Sequence, residues 1–334
     1  MVKKIRMADV AAEAGVSLQT VSRAINDKDG ISAETRERIL EIAGQMGFRP
    51  SNIARGLATQ RTATIGLVVP DIANPFFSEI ARGVEDTAYE NGYRVFLCTT
   101  YEDVDREQAL LDSLLEHQVD GLVLCSSRLD EGELVKRLAE FDDVVLVNRK
   151  LAESVEGIVS ILIDEQTAAM QAVAHFISCG CQKIAFVAGP QRSYSGKRRL
   201  DGFRTGLRAH EQVVDPALVV HCEPDQRGGY TAALNLFAEH GDVDAVYAYN
   251  DLVAVGVIQA CRELGKRIPE DVALIGADDI PLASLITPAL STMGVDKEKI
   301  GSLAMQALLA CMHAEDECAS PVVLEPALIL RASA

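Results

Sequence analysis

The first 48 residues place apolar side chains at helical spacing, in short runs separated by turn residues. The inward faces predicted by this spacing are Val10, Ala11 and Ala14 in a first helix, Val21, Ala24 and Ile25 in a second, and Ile39, Ile42, Ala43 and Met46 in a third. Gly15 follows the first helix, where a tight turn requires a positive φ. Ser17 and Ser32 stand at N-cap positions of the second and third helices, and Gly47 ends the third.

The second helix, expected over about residues 18–25, presents Leu18, Gln19, Ser22 and Arg23 outward. Two short helices joined by a tight turn are typical of a helix-turn-helix, whose second helix enters the DNA major groove. Amide and guanidinium groups are the side chains that read base edges there. The alternative is an amphipathic hairpin that belongs to some other helical bundle.

The segment that follows, residues 50–58, begins with proline and has serine and asparagine near a cap position. It allows about two helical turns, and Gly56 weakens them further. A helix of that length is not stable alone in water. The residues therefore leave two interpretations open, a helix that forms only on contact with a partner and a plain linker.

From Thr64 onward, short buried apolar runs alternate with helical patterns. A first set predicts strands at 65–70, 94–99, 121–125 and 143–147, the last of which closes the set, and helices at 77–91, 106–117 and 131–140. A second set predicts helices at 165–178, 198–210, 228–239 and 251–264, and strands at 183–188, 218–221, 245–248 and 273–276. This alternation indicates two α/β lobes with parallel sheets covered by helices on both faces.

Ligands of such sheets bind at the carboxyl ends of the strands. Polar and aromatic residues follow several predicted strands: Asp71, Asn74, Phe76, Phe77, Asn148, Arg149, Asn250 and Asp278, with Arg199 in a nearby loop. Aromatic faces together with amides, carboxylates and guanidinium groups suit a polyhydroxyl ligand. Each residue also has a structural explanation, because an Asn-Asp pair can cap a helix and a Pro-Phe-Phe run can belong to a core.

Composition restricts the class of protein. The chain has 334 residues, of which 48% are hydrophobic, so it is expected to fold as two or three globular domains. The net charge is −17, yet residues 1–62 carry ten lysines and arginines against seven carboxylates, a net charge of +3, and the remainder carries −20. DNA binding needs only local positive charge. No run is long enough to span a membrane and the N-terminus lacks an export signal, which favours a cytoplasmic protein.

Three groups of motifs occur in a fixed order along the chain. The helix pair contains Val10-Ala11, Ala14-Gly15-Val16-Ser17, Thr20-Val21-Ser22-Arg23 and Asn26. The next segment reads Asn52-Ile53-Ala54-Arg55-Gly56-Leu57-Ala58. The remainder contains Asp71 through Phe77, Val119-Asp120-Gly121, Gly189-Pro190, Asp201-Gly202-Phe203, Asn250-Asp251 with Ala254 and Gly256, and Gly276 through Pro288. Together they resemble the LacI/GalR family of bacterial transcription regulators from about residue 5 onward.

The resemblance implies an N-terminal all-α helix-turn-helix headpiece with a hinge helix, followed by an α/β two-lobed periplasmic-binding-protein-like sensor core with parallel sheets. The implied domains are the headpiece at residues 1–49, the hinge helix at 50–60 and the effector-binding and dimerisation core at 61–334. Within that core, the first lobe is expected at about 61–163 and 293–323, and the second at about 164–292 and 324–334.

The resemblance also implies a homodimer that binds a palindromic double-stranded operator and responds to a small effector. The implied DNA-binding residues are Ser17, Leu18, Gln19, Thr20, Ser22, Arg23, Asn26, Asn52, Ala54 and Leu57. Leu57 matches the leucine that paired hinge helices insert into the minor groove. The implied effector contacts are Asp71, Asn74, Phe76, Phe77, Asn148, Arg149, Arg199, Asn250 and Asp278.

Three positions depart from the pattern of the sugar-binding members. Asn148 stands where aspartate is common, Val295 stands near a frequent glutamine, and Pro224 lies close to a frequent aromatic wall. A lost carboxylate beside the retained Arg149 and Arg199 makes a less acidic pocket. We therefore expect a sugar-like effector, with an anionic sugar acid or sugar phosphate as the specific hypothesis.

Two other classes of function are alternatives to this one. A solute-binding protein for sugar uptake would use the same pocket, but it needs an export signal and has no use for a helix-turn-helix. An enzyme is not expected, because the glycines of residues 189–197 lack phosphate-loop spacing and no catalytic motif is present. No cofactor or metal is expected, since the eight cysteines lack metal-ligand spacing. A cytoplasmic, ligand-controlled repressor is therefore the prediction, with the sign of the ligand's effect left open.

Overall fold

A computed structural model describes residues 5–25, 29–48, 61–313 and 321–334. The chain divides into two units, Met1–Ala63 and Thr64–Ala334, here called the headpiece unit and the core unit. The predicted hinge helix at 50–60 lies outside the described residues, as do the predicted DNA contacts Asn26, Asn52, Ala54 and Leu57. Those assignments stay predictions.

The headpiece unit contains helices α1 (Met7–Ala14), α2 (Leu18–Ile25) and α3 (Ala33–Gln45). Gly15 has φ 64° and ends α1, as the turn between the helices was expected to require. The Ser17 hydroxyl accepts a hydrogen bond from the Thr20 amide at 3.1 Å, and Ser32 caps α3 in the same way. The three helices share one small core made of Val10, Ala11, Ala14, Val21, Ala24, Ile39 and Ala43.

The first lobe of the core unit is built on a six-stranded sheet in which all paired strands are parallel. Its strands are β1 (Thr64–Val69), β2 (Arg94–Thr99), β3 (Gly121–Cys125), β4 (Val144–Val147), β5 (Ile158–Ile163) and β11 (Val322–Leu324). Its helices are α4 (Pro75–Glu90), α5 (Val104–Glu116), α6 (Glu131–Leu138) and α12 (Lys297–Met312). The strand order β11-β5-β4-β3-β1-β2 leaves β2 at one edge. In register, Leu67 lies between Leu97 and Val123.

The second lobe has a similar sheet in the order β12-β10-β9-β8-β6-β7, in which only the pairing of β12 with β10 is antiparallel. Its strands are β6 (Ile184–Ala188), β7 (Val219–His221), β8 (Ala245–Ala248), β9 (Ala273–Asp278), β10 (Ser291–Gly294) and β12 (Ala327–Ile329). Its helices are α7 (Glu165–Ser178), α8 (Tyr194–Ala209), α9 (Gln226–Glu239), α10 (Asp251–Glu263) and α11 (Pro281–Leu285).

The two-lobed α/β fold predicted from the sequence is confirmed, but the prediction that strand 143–147 closes the first set is wrong. Strand β5 follows β4 without an intervening helix, so the strand–helix alternation did not reveal it. Strand β10 extends to Gly294 in the second lobe and β11 to Leu324 in the first. The second and third crossovers between lobes therefore lie one or two residues beyond the boundaries expected from the sequence, whereas β5 ends at Ile163, the last residue expected before the first crossover.

Helices α4 and α12 of the first lobe approach each other at two glycines. A Cβ at Gly83 would lie 2.1 Å from the Glu298 carbonyl oxygen, and a Cβ at Gly301 would lie 2.1 Å from that of Ile80. Only glycine permits this backbone contact. The two helices are therefore in backbone contact around Gly83 and Gly301. Within the described segments, no helix combines the length and apolarity that crossing a bilayer requires.

Candidate functional site

A cavity of about 240 Å³ opens at the carboxyl ends of both sheets, between the lobes of the core unit. Of the nine residues predicted to contact an effector, eight line it: Asp71, Asn74, Phe76, Phe77, Asn148, Arg199, Asn250 and Asp278. Ligand pockets in proteins commonly have volumes of about 300–1,000 Å³, so this cavity lies near the small end of that range. The fold thus brings these loops together at one cavity, as the sequence predicted.

Several of these residues also serve the helices that begin at the cavity. The Asn74 side chain accepts a hydrogen bond from the Phe76 amide at 3.0 Å and caps α4. Asn250 caps α10 through the Val253 amide and donates from its side chain to the Pro224 carbonyl at 3.0 Å. Phe76 and Phe77 pack edge to face, with ring centroids 5.0 Å apart. The capping explanation and the cavity-lining explanation therefore hold for the same side chains.

A buried ion cluster forms the floor of the cavity on the second lobe. The Arg199 guanidinium donates to both carboxylate oxygens of Glu165, at 2.7 and 2.8 Å, and to Asp278 Oδ1 at 3.2 Å. It also donates to the Tyr249 carbonyl. All three charged side chains are more than nine-tenths buried. One arginine thus serves as the shared cation of two carboxyl groups that have little access to water.

Burial controls the protonation of this cluster. It raises the pKa of Asp278 to about 7, with Arg199 opposing that rise and Glu165 adding to it. Burial alone would lower the pKa of Arg199, but Glu165 and Asp278 outweigh it and the pKa rises. Asp251, the first residue of α10, has a pKa raised to about 8 by burial and by the nearby Asp278. The cluster therefore holds carboxyl groups that favour the neutral form in the folded protein.

Asn148 and Arg149 are placed differently although they are neighbours. Asn148 has φ 54° and lines the cavity, and its Oδ1 is buried without a hydrogen-bond partner among the described residues. Arg149 is not among the cavity-lining residues. Its guanidinium donates to the Leu129 carbonyl at 3.3 Å and lies 5.7 Å from the Tyr194 ring centroid. Its Nε is buried without a hydrogen-bond partner among the described residues, and Tyr194 is the neighbour of the cavity-lining Ser195. That Arg149 contacts an effector therefore stays a prediction.

The structure adds lining residues that the sequence did not predict as effector contacts, from the segments after β2, β3, β6, β7 and β8: Tyr101, Glu102, Ser126, Arg128, Ser195, Glu223, Pro224, Asp225, Tyr249 and Leu252. Of these, Pro224 is the one that the resemblance already places close to a wall of the pocket. Arg128 is nearly fully buried and donates to both carboxylate oxygens of Glu102. It also donates to the Ser126 carbonyl at 2.8 Å. Glu102 and Arg128 follow strands β2 and β3, so their place at the carboxyl ends of strands could have identified them. The sequence prediction selected residues from only some of these loops.

These contacts argue against the hypothesis of an anionic effector. The described residues around the cavity include the four carboxylates of Asp71, Glu102, Glu223 and Asp225, and the Asp278 carboxyl group with its pKa raised to about 7, against the two arginines Arg128 and Arg199. Both arginines are already engaged by carboxylates. An anion would meet a surplus of negative charge and no uncommitted guanidinium in the described lining. The hypothesis relied on Arg149, which is not among the lining residues, and on Arg199, which Glu165 and Asp278 already engage.

The outward face of α2 is the second candidate site. Leu18 is 53% exposed although it is a large apolar residue, and Gln19 and Arg23 are exposed beside it. Thr20 and Ser22 are half-buried, and Ser17 is exposed while its hydroxyl caps the helix. The opposite face of α2 buries Val21 and Ala24 in the headpiece core. The helix is thus anchored on one side and presents the predicted DNA-reading residues on the other.

Comparisons with known proteins agree with both halves of this description. Residues 6–51 match the family model described as bacterial regulatory proteins, lacI family, and residues 173–334 match that of the periplasmic binding protein-like domain. The chain is 33% identical to catabolite control protein A of Priestia megaterium, over 97% of this chain and 98% of that protein.

Two solved structures are similar over the whole chain. The lac repressor dimer bound to operator and the anti-inducer ONPF superposes with a TM-score of 0.88 at 25% identity, covering 99% of each chain. The complex of the transcriptional regulator CelR with cellobiose has a TM-score of 0.76 at 31% identity, covering 99% of this chain and 100% of that one. The chain belongs to the lacI family of bacterial regulatory proteins.

Proposed function

We propose that this protein is a repressor that binds a palindromic operator as a homodimer in the cytoplasm and is controlled by a small neutral polyhydroxyl ligand. The observation that carries the proposal is the presence, in one chain, of an exposed α2 face and an interlobe cavity lined by amides, carboxylates and aromatic rings. The similar lac repressor is bound to operator, and the similar CelR to cellobiose.

The headpiece unit supplies the chemistry for reading DNA. Gln19 can pair with both adenine N6 and N7, and Arg23 with guanine O6 and N7. Leu18 offers an apolar contact for a thymine methyl group. The +3 charge of residues 1–62, against −20 in the remainder, directs the phosphate backbone to this end of the chain.

The cavity favours an uncharged ligand rich in hydroxyl groups. Asn148 Oδ1 is a buried acceptor that needs a donor, and a hydroxyl group supplies one. Asp278 faces the cavity with one oxygen engaged by Arg199 at 3.2 Å, so its second oxygen can accept from the same ligand. The rings of Phe76 and Phe77 provide apolar surface for the faces of a sugar.

Exposed apolar side chains on the core unit support the homodimer. Phe96 and Leu97 are each about two-fifths exposed on β2, the edge strand of the first sheet. Leu285 of α11 is 77% exposed, beside the partly exposed Leu282. An unpaired edge strand with exposed apolar residues requires a cover, and a second copy of the chain provides a self-complementary one.

Selection from a random pool of DNA duplexes tests the DNA-binding part. We expect the enriched duplexes to share a two-fold symmetric sequence. Gln19→Ala should weaken binding to that sequence by about 1–3 kcal/mol, because one bidentate base contact is lost. The matched control is Gln45→Ala, which removes an exposed amide at the end of α3 and should change little. Enrichment of no symmetric sequence would refute the proposal.

Calorimetry tests the class of ligand. D-Ribose, D-xylulose and cellobiose are titrated beside ribose 5-phosphate and D-gluconate. We expect binding only among the uncharged sugars, because the four carboxylates of Asp71, Glu102, Glu223 and Asp225 repel an anion and both arginines are engaged. Asn148→Ala should weaken the sugar that binds. Tighter binding of a phosphorylated or acidic sugar than of its neutral counterpart would contradict this prediction.

A further inference from the structure

One buried amine joins the two lobes directly behind the cavity. Lys297 is the first residue of α12 in the first lobe and is only 6% exposed. Its Nζ donates to the carbonyl oxygens of Asp278 and Asp279, at 2.9 and 2.7 Å, and both residues belong to the second lobe. The same Nζ lies 3.5 Å from Glu79 Oε2 on α4 of the first lobe. The Lys297 amine therefore contacts both lobes of the core unit.

The two carbonyl groups belong to a strained turn. Asp278 has φ 106° and Asp279 has φ 50°, left-handed backbone conformations that residues other than glycine seldom adopt. Arg199 holds the Asp278 carboxylate, and Arg331 holds that of Asp279 at 2.6 Å. Lys297 holds the backbone between those two side-chain contacts. Because Asp278 lines the cavity, a ligand that engages its carboxylate acts directly on this turn.

The other end of the contact lies on a helix that also lines the cavity. Glu79 follows Phe76 and Phe77 by less than one helical turn in α4. Glu79 Oε1 is buried without a hydrogen-bond partner in the described part of the chain, so the charge of this carboxylate is compensated through Oε2 by Lys297. Because α4 and α12 are in backbone contact at the two glycines, a displacement of one helix also displaces the other.

We propose that Lys297 is a positioning residue that transmits the state of the Asp278-Asp279 turn to Glu79 and α4. The inference rests on the proposed function, since the signal that it would carry is ligand binding in the cavity. Movement of the two carbonyl groups changes where the amine is held, and the amine repositions the Glu79 carboxylate. The first lobe is the one whose strand β1 begins at Thr64, directly after the predicted hinge segment.

Hydrogen exchange on the full, ligand-free chain tests the connection by changing one lobe and observing the other. Glu79→Gln keeps the shape of the side chain and removes its charge. We expect amide exchange in the segment 278–280 to become about fivefold faster, which corresponds to a local opening about 1 kcal/mol easier. Glu85→Gln is the matched control, because Glu85 is exposed on the same helix and should leave that segment unchanged.

The double variant with Lys297→Met decides whether the lysine carries the effect. In that background Glu79→Gln should produce no further change in exchange at 278–280. In the background of Lys299→Met, which removes an exposed amine of α12, Glu79→Gln should still accelerate exchange in that segment. Unchanged exchange after Glu79→Gln alone, or an effect that persists without Lys297, would overturn the proposal. The measurement uses neither DNA nor sugar, so failure of the proposed function would not be mistaken for failure of this connection.

Discussion

Replacing Arg199 by methionine is expected to destabilise the core unit by about 3–5 kcal/mol and to abolish binding of the neutral sugar. The substitution keeps the length of the side chain but leaves Glu165 and Asp278 buried without their shared cation. The substitution also removes the guanidinium that holds the Asp278 carboxyl group in place at the cavity, so this group is no longer positioned for the sugar. Urea unfolding followed by circular dichroism measures the first effect, and calorimetry with the sugar measures the second.

Arg198→Met is the matched control for that experiment. Arg198 is the preceding residue of α8 and is exposed, so its loss removes the same charge from the chain without uncovering a buried carboxylate. It should change the free energy of unfolding by less than about 0.5 kcal/mol. Equal stability of the two variants would show that the Arg199 cluster does not hold the second lobe together.

The stability of the core unit is expected to fall as the pH rises from about 5.5 to 8.5. The pKa of Asp251 is raised by burial to about 8, so the folded chain binds a proton that the unfolded chain releases near its ordinary value of 3.8. Stability is therefore fully present below about pH 4 and is lost as the pH rises toward 8. One such group contributes at most about 1.4 kcal/mol for each pH unit.

Asp251→Asn isolates this contribution from the other titrating groups. An amide resembles the protonated carboxyl group, and the Thr292 hydroxyl, which donates to Asp251 Oδ1 at 2.6 Å, can accept from the amide instead. We expect the loss of stability between pH 5.5 and 8.5 to be smaller in the variant, by on the order of 2 kcal/mol. Urea unfolding at both pH values measures it, and equal losses in the two proteins would contradict the raised pKa.

The sequence predicted those parts of the molecule that follow from periodicity. Helix α2 exposes Gln19 and Arg23 because Val21 and Ala24 fix which face is buried. The cavity collects residues from several loops because parallel strands bring their carboxyl ends to one edge. Neither the exposed face of α2 nor the convergence of these loops depends on specific side-chain contacts, so the sequence alone predicts both.

The ion pair of Glu102 with Arg128 could not be predicted in the same way. The turns that bring the pair together have positive φ at three residues that are not glycine, Tyr101, Glu102 and Ser126. Their residue types therefore do not predict these turns. The charge of the cavity was misjudged for a related reason. A sequence shows that Arg199 is cationic, but only the fold shows that Glu165, 34 positions away, is its partner.

The capping role of several lining residues limits how the ligand preference of this protein can be altered. Asn74, Asp225 and Asn250 each hold the first turn of a helix, so exchanging one of them to fit a new ligand also sacrifices a cap worth about 1 kcal/mol. Ser126, Pro224 and Leu252 border the same space without capping a helix. Variation in specificity among descendants of this chain, natural or engineered, should therefore accumulate at such positions first.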